Sequence, residues 1–192
     1  SLLLPEQRGQ GSSGGECMAF GLLERFDCVQ WLSWLEANGW GNLPTYLFGI
    51  SMGAATVLMA AGSRLPENVR GIIADCGFTS PWEIIKTVFR RVIHLPATPV
   101  LCAAEFFARV IGGFSLREMD TRKILQNSKL PIFLAHGEED GFVPCEMTIQ
   151  GYNVCRTAKT LLIVDEAEHG VSMIKDPVRY GVNGGGGFED YS

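Results

Sequence analysis

The feature that most constrains the fold is a serine between two glycines, Gly49-Ile50-Ser51-Met52-Gly53. A β-branched and aromatic run precedes it at residues 45–48, and an alanine-rich run suited to a helix follows it at residues 54–61. G-x-S-x-G between a strand and a helix predicts a nucleophile elbow, in which both glycines avoid collisions with a strained serine. Ser51 would lie at a helix N-terminus, which favours developing negative charge. The alternative is an ordinary glycine-flanked turn with a capping serine.

Length and composition indicate one globular domain. The 192 residues suffice for a sizeable core, and 46% apolar with 19% charged residues is typical of a soluble chain. The net charge of −5 argues against nucleic acid or an anionic membrane as the main partner. Six cysteines form no C-x-x-C pair, so we expect reduced, mostly buried thiols and a cytoplasmic location. No signal segment is visible, and the apolar stretch 95–116 carries charges and prolines that make it a poor membrane span.

Alternating strand and helix patterns predict an α/β fold, with a mostly parallel sheet covered by helices on both faces. Apolar runs predict strands over residues 1–4, 45–49, 69–74, 131–135 and 160–164. Amphipathic patterns predict helices over residues 20–38, from the elbow to about 61, 146–156 and 171–174. The first helix has a broad apolar stripe, so we expect its tryptophans, Trp31 and Trp34, to lie in the core.

Residues 80–126 form an insert of helical character. One predicted helix covers residues 81–94 and a second covers residues 100–111, with Pro96 and Pro99 between them. The insert is more apolar than a solvated hairpin. We therefore expect either a helical cap over an acyl-binding pocket or a simple cover for the sheet.

The chain thus divides into a core, an insert and a tail. The core comprises residues 1–79 and 127–180, and residues 80–126 are the insert. Residues 181–192 contain four consecutive glycines and are expected to be flexible. The glycine-rich stretch 5–15 lacks the Gly-Lys-Ser/Thr of a phosphate loop, so we expect a turn there.

A serine hydroxyl needs a base to take its proton and an acid to orient that base. His169 follows the last strand, in a loop at the edge where the elbow opens, and is the expected base. His136 ends a strand beside Gly137, where we expect it to satisfy loop backbone. His94 lies in the helical insert.

The acid is expected between the serine and the histidine in chain order. Asp140 follows a strand in a glycine-bounded loop, so its carboxylate can reach Nδ1 of His169. Asp75 also ends a strand and is the competitor, whereas Glu138 and Glu139 are expected to point to solvent. A purely turn-forming role for Asp140 is a further alternative.

These motifs resemble the bacterial esterase and serine-aminopeptidase-like branch of the α/β-hydrolase superfamily. The resemblance covers residues 1 to about 176 and is carried by four stretches, residues 8–12, 49–53, 75–80 and 136–144. It implies four roles: nucleophile for Ser51, base for His169, acid for Asp140 and one oxyanion-hole N–H for Met52. It is specific for the superfamily and weakly specific for substrate.

The chain departs from this family in three places. Glu6 replaces an aspartate, the glycine-rich tail replaces much of the final helix, and nothing matches the first three strands and first helix. By this resemblance, strand 1–4 corresponds to the family's fourth strand and strand 45–49 to its fifth, and the family's third strand lies between these two in the sheet. We therefore expect either that strands 1–4 and 45–49 pair directly or that the intervening strand is not included in this chain. The missing region also normally supplies the second oxyanion N–H.

The sequence therefore predicts a serine hydrolase that cleaves carboxylic esters through an acyl-enzyme intermediate. One alternative is amide or peptide cleavage, or acyl transfer, by the same residues. Another is a truncated hydrolase remnant that is weakly active or inert. No cofactor or metal is expected, since no His/Asp/Glu cluster has ligand spacing. The expected partner is a small acyl ester, without nucleic acid, and the sequence leaves a homo-oligomeric state open.

Overall fold

Four parallel strands form the sheet on which the rest of the chain packs. A computed structural model describes residues 1–94 and 96–185. The strands are β1 (Thr45–Ile50), β2 (Val69–Asp75), β3 (Ile132–Gly137) and β4 (Lys159–Val164). Each pairs with the next in parallel, in the order β1-β2-β3-β4. The predicted parallel α/β sheet is therefore confirmed, with strand ends within two residues of those expected from the sequence.

Helices connect the strands and form the insert. In the described part of the chain they are α1 (Glu24–Leu35), α2 (Met52–Ala60), α3 (Pro81–Ile93), α4 (Thr98–Val110), α5 (Thr121–Leu125), α6 (Cys145–Val154), α7 (Ser172–Lys175) and α8 (Pro177–Gly185). A π-helical turn, Glu36–Trp40, extends α1. The Ser80 hydroxyl accepts a hydrogen bond from the Glu83 amide and so caps α3, the first helix of the insert. None of these helices is both long and apolar enough to cross a membrane.

The two faces of the sheet are covered unequally. Helices α1, α2, α5 and α6 bury one face in a core that includes Leu58, Ile72 and Leu134. On the other face α7 and α8 lie over β3 and β4. Phe48 and Ile50 on β1 remain 43% and 39% exposed. Helices therefore lie on both faces, as predicted, and the second face is covered over β3 and β4 more than at β1.

Residues 1–4 are not the strand that the sequence predicts. They have no regular secondary structure, and Leu2 and Leu4 are 79% and 76% exposed. Among the described residues, β1 pairs with β2 alone, so the direct pairing considered above does not occur. An extended segment has no ladder hydrogen bonds without a neighbouring strand, and an apolar composition does not replace them.

The tryptophans of α1 lie outside the core, contrary to prediction. Trp31 is 38% and Trp34 47% exposed, and their rings pack edge to face on each other with centroids 5.8 Å apart. Cys28, Leu32 and Leu35 face the core instead, at helical spacing i, i+4 and i+7. Because α1 packs through this narrower stripe, the tryptophans fall on its flank.

The start of the predicted flexible tail is helical. Helix α8 continues to Gly185, so residues 181–185 belong to it, and residues 186–192 lie outside the described residues. Tyr180 is 5% exposed and its ring stacks edge to face on Phe133 of β3. This aromatic contact fixes α8 against the sheet, an effect that glycine content alone does not reveal.

Candidate active site

Ser51 lies in a sharp turn between β1 and α2. Its φ of 55° and ψ of −114° are strained for a residue with a side chain. Its amide donates to the carbonyl of Asp75 at 2.8 Å, which ties the turn to β2. A Cβ on Gly49 would lie 2.2 Å from the carbonyl carbon and oxygen of Gly53, so position 49 requires glycine. A Cβ on Gly53 would meet nothing within 4 Å, and the expected collision there is therefore wrong.

A continuous chain of hydrogen bonds joins Ser51, His169 and Asp140. The Ser51 Oγ is 2.9 Å from Nε2 of His169, and Nδ1 of the same ring is 2.7 Å from Oδ2 of Asp140. Asp140 accepts the hydrogen on Nδ1, which leaves the Nε2 lone pair facing the serine hydroxyl. The proximity of the three side chains agrees with the sequence prediction, and their catalytic roles remain predictions.

The Asp140 carboxylate is buried and has four donors within 3.1 Å of its oxygens. Oδ1 accepts from the amides of Phe142 and Val143, each at 2.8 Å, Oδ2 accepts from His169 at 2.7 Å, and Nε2 of His136 lies 3.1 Å from Oδ2. Burial by itself would raise the pKa of this carboxyl group. The hydrogen bonds from the two histidines and the two amides outweigh burial and hold the pKa of Asp140 well below its usual range. Asp140 is therefore ionised at neutral pH.

Asp75, the competing acid, contacts a different part of the chain. It is fully buried, and Oδ1 accepts a hydrogen bond from the Ser172 hydroxyl at 2.8 Å. Its Oδ2 has no hydrogen-bond partner among the described residues. Burial raises the pKa of Asp75, because it disfavours the charged form more than the Ser172 hydroxyl compensates. Asp75 thus supports the turn after His169 and does not orient the imidazole.

The close approach of two loops brings Asp140 to His169. A Cβ on Gly137 would lie 2.3 Å from the carbonyl oxygen of Ala167, so only glycine fits at this crossing. The next two amides, of Glu138 and Glu139, donate to the carbonyls of Val164 and Ala167 at 2.9 and 3.0 Å. Their side chains are exposed, as predicted.

Two neighbours of the site were not assigned a role from the sequence. His136 meets the backbone carbonyl of Val143 as expected, and it also reaches the Asp140 carboxylate. The Phe142 ring packs edge to face on His169, with centroids 5.2 Å apart. The H-G-x-x-D spacing was the available signal for His136, but the direction of its ring depends on the folded loop. His94 caps the exposed end of α3, away from these contacts.

Cys76 lies beside the hydrogen-bonded chain. Its Sγ and ligand atoms of Asp140 and His169 all lie within 4.8 Å of one another, a grouping that long sequence separations concealed. Burial, aided by the charge of Asp75, raises the pKa of Cys76 to about 12. The thiol therefore stays protonated at neutral pH, whereas metal coordination needs the thiolate. Asp140 and His169 are already hydrogen-bonded to each other, and His169 is also hydrogen-bonded to Ser51.

The insert packs against both sides of the site. Met52 is the first residue of α2, where amides have no acceptor within the helix, and its side chain joins an apolar cluster with Trp82 and Ile85 of α3. Val143, which follows Asp140, belongs to the same cluster. Arg91 of α3 donates to the carbonyl of Gly141 at 3.2 Å. Helix α3 thus adjoins the serine turn and the Asp140 loop.

Comparison with known proteins finds a distant relative in a bacterium. The chain is 29% identical over 180 residues to the uncharacterized protein YqkD of Bacillus subtilis (strain 168), a match that covers 94% of this chain and 59% of YqkD. The chain thus spans about three fifths of the length of that relative. No protein-family model matches the chain.

Solved structures identify the fold. Esterase Pf2001 of Pyrococcus furiosus superposes with a TM-score of 0.73 and 21% identity, covering 96% of this chain and 68% of the esterase. The acylaminoacyl peptidase of Pyrococcus horikoshii superposes with a TM-score of 0.57 and 18% identity, covering 82% of this chain and 25% of the peptidase. The chain has the α/β-hydrolase fold, as its motifs predicted. At these identities the likeness concerns the fold alone.

Proposed function

We propose that the chain is a serine hydrolase that cleaves carboxylic esters through Ser51, His169 and Asp140. The observation that carries the proposal is the unbroken path of two hydrogen bonds, 2.9 Å from serine to imidazole and 2.7 Å from imidazole to carboxylate. A serine, a histidine and a buried carboxylate in this order form the constellation used for acyl transfer on several unrelated folds.

Each residue has one role in the proposed reaction. His169 Nε2 takes the Ser51 proton as the serine oxygen attacks the acyl carbonyl, and Asp140 stabilises the imidazolium that forms. The Met52 amide donates to the oxyanion at the start of α2. The alcohol leaves with the proton from His169, and water then releases the acyl group by the same route. No cofactor enters these steps.

The insert, residues 80–126, is the proposed cap over the acyl group. Its support is the apolar cluster that joins Trp82 and Ile85 to Met52 and Val143, one on each side of the hydrogen-bonded chain. An apolar surface beside the nucleophile suits the acyl part of an ester better than a charged substrate. We propose a small acyl ester as the substrate. We also propose a cytoplasmic location, and residues 1–79 and 127–180 as the core on which the cap sits.

A second candidate is the cleavage of amides or peptides. The observation that favours it is the structural likeness to the acylaminoacyl peptidase, which superposes on 82% of this chain. Acyl transfer to an alcohol belongs to the same class, since both reactions pass through the same acyl-enzyme. A third candidate is a weakly active or inert hydrolase, which the unmatched second oxyanion donor favours. Losing one such donor costs about 10²–10³-fold in kcat.

Labelling with a fluorophosphonate tests the proposal. The reagent should modify Ser51, mapped by peptide mass spectrometry, and Ser51→Ala should abolish both labelling and turnover of p-nitrophenyl esters. Ser33→Ala is the matched control, because this serine is exposed and its hydroxyl donates to the Val29 carbonyl within its own helix. Parallel assays with p-nitroanilides separate esterase from amidase. Unchanged turnover in Ser51→Ala would overturn the proposal, and no turnover in the unsubstituted chain would favour an inert remnant.

A further inference from the structure

A second histidine contacts the Asp140 carboxylate from inside the protein. His136 is the penultimate residue of β3 and is fully buried. Its Nε2 lies 3.1 Å from Oδ2 of Asp140 and 3.1 Å from the carbonyl oxygen of Val143. Its Nδ1 lies 2.6 Å from Oγ1 of Thr148 on α6. Both ring nitrogens are therefore engaged, and one faces the proposed acid.

The partners of the ring determine where its hydrogen lies. Both neighbours of Nε2 are oxygens that only accept, so Nε2 must carry the hydrogen. The Thr148 hydroxyl can donate to Nδ1, and its other acceptor, the Gly77 carbonyl, is farther away at 3.4 Å. His136 with one hydrogen on Nε2 thus satisfies each of its contacts.

The two histidines share one oxygen. His169 donates to Oδ2 of Asp140 at 2.7 Å, and Nε2 of His136, shared with the Val143 carbonyl, lies 3.1 Å from the same oxygen. A carboxylate oxygen that stabilises two donors holds each less strongly than it would hold one alone. We propose that His136 is a positioning residue, which fixes the Asp140 carboxylate and weakens its hold on the protonated His169 ring.

The inference rests on the proposed function, because it concerns the acid of that site. Other titratable groups also lie around His136 and Asp140. Those facing His136 or its partner carboxylate are Asp75 at the end of β2, Cys76 directly after it, His169 in the loop after β4 and Cys145 at the start of α6. Of these, only His169 donates to the same oxygen as His136. His136 is therefore the neighbour whose removal changes the Asp140–His169 bond directly.

Two substitutions separate positioning from a merely structural role. His136→Gln keeps an N–H at the place of Nε2, whereas His136→Leu removes it. In His136→Leu we expect the acid limb of the plot of kcat/KM against pH to shift to higher pH by about 0.5–1 unit. The reason is that Oδ2 of Asp140 then interacts with the protonated His169 ring and no longer with a second histidine. His136→Gln should keep the limb of the unsubstituted chain. His94→Gln, at an exposed site, is the control for histidine replacement in general. An unmoved limb in a folded His136→Leu protein would overturn the proposal.

A measurement on the unsubstituted protein covers the case in which His136→Leu fails to fold. The chain has three histidines, so ¹⁵N imidazole spectra of His94→Gln and His169→Gln assign the remaining ring to His136. We expect its hydrogen on Nε2 and an unprotonated Nδ1 that accepts from the Thr148 hydroxyl. The opposite tautomer would overturn the proposal, since Nε2 would then donate nothing to Asp140.

The outcomes distinguish this inference from the proposed function. Turnover that survives in Ser51→Ala defeats the proposed function, and the tautomer of His136 can still be read. Turnover that depends on Ser51, combined with an unmoved acid limb in His136→Leu, defeats only the positioning role.

Discussion

Asp75 and Asp140 are both buried carboxylates near the carboxyl end of a strand of the same sheet, yet their surroundings shift their pKa values in opposite directions. Asp140 has four donors within 3.1 Å of its oxygens, and they lower its pKa despite burial. Asp75 receives one, from Ser172, and burial raises its pKa. Their positions at strand ends are similar, and the number of donors around them differs. The comparison teaches that donors supplied by the following loop, more than burial, decide in which direction the pKa of each carboxyl group moves.

The difference arises from distance along the chain. Asp75 is the last residue of β2, so its backbone belongs to the ladder and its side chain points into packed protein. Asp140 lies three residues beyond the end of β3, and the loop folds back so that the amides of Phe142 and Val143 reach its carboxylate. Three residues beyond the strand are enough to build a small anion site.

The largest expected effect is that of Asp140→Asn. The amide cannot stabilise the imidazolium or hold the required tautomer, so we expect kcat to fall by about 10³–10⁴-fold. Esterase assays on a protein whose circular dichroism is unchanged measure this loss. A fall of less than tenfold would remove Asp140 from the proposed mechanism.

The next largest effect is expected from replacing the glycine near each acid, Gly137 near Asp140 and Gly77 near Asp75. Gly137→Ala brings a Cβ to 2.3 Å from the Ala167 carbonyl and must push the Asp140 and His169 loops apart. A displacement of about 1 Å costs on the order of 10²-fold in kcat/KM. Gly77→Ala, just after Asp75, meets the Ala54 methyl at 3.2 Å and should cost little activity. Equal losses in the two variants would show that loop approach does not distinguish the acids.

Asp75→Asn should affect activity much less than Asp140→Asn. The amide oxygen can still accept from Ser172, and Asp75 makes no hydrogen bond to His169 within the described residues. We expect kcat within about tenfold of the unsubstituted value, as for a residue outside the transition-state contacts. Steady-state kinetics at a single pH suffice. A loss as large as that of Asp140→Asn would exchange the roles of the two acids.

The smallest effect is on stability as a function of pH. Because the pKa of Asp140 is lowered on folding, its contribution to stability is present above about pH 4 and is lost as the pH falls further. Because the pKa of Asp75 is raised, its contribution is present at low pH and is lost as the pH rises. Denaturant unfolding of both Asn variants from about pH 3 to pH 8 should give free-energy differences of opposite slope. Slopes of the same sign would contradict the comparison.

Local sequence signals predicted much of the fold and the arrangement of the site. The glycine-flanked Ser51, the strand-end position of His169 and the loop of Asp140 are each encoded within about ten residues, and the parallel sheet follows from the alternation of elements. These features do not depend on distant contacts. They are therefore readable without a structure.

Long-range packing accounts for what the sequence did not predict. Residues 1–4 look like a strand but pair with no strand among the described residues, and Trp31 looks like a core residue but lies on the flank of α1. Gly53 shares a motif with Gly49 but has no steric need for glycine. The bond from His136 to Asp140 depends on the direction of a ring fixed by Thr148 on another element. Each of these depends on a neighbour that local pattern does not specify.

The most direct test of the central claim compares fluorophosphonate labelling rates of Ser51 in the unsubstituted chain, Asp140→Asn and Asp75→Asn. Labelling requires the serine, the base and the oriented tautomer, and it is independent of substrate choice. We predict that Asp75→Asn labels at close to the unsubstituted rate, whereas Asp140→Asn labels more than about 10²-fold more slowly. Rapid labelling of Asp140→Asn together with slow labelling of Asp75→Asn would contradict the account.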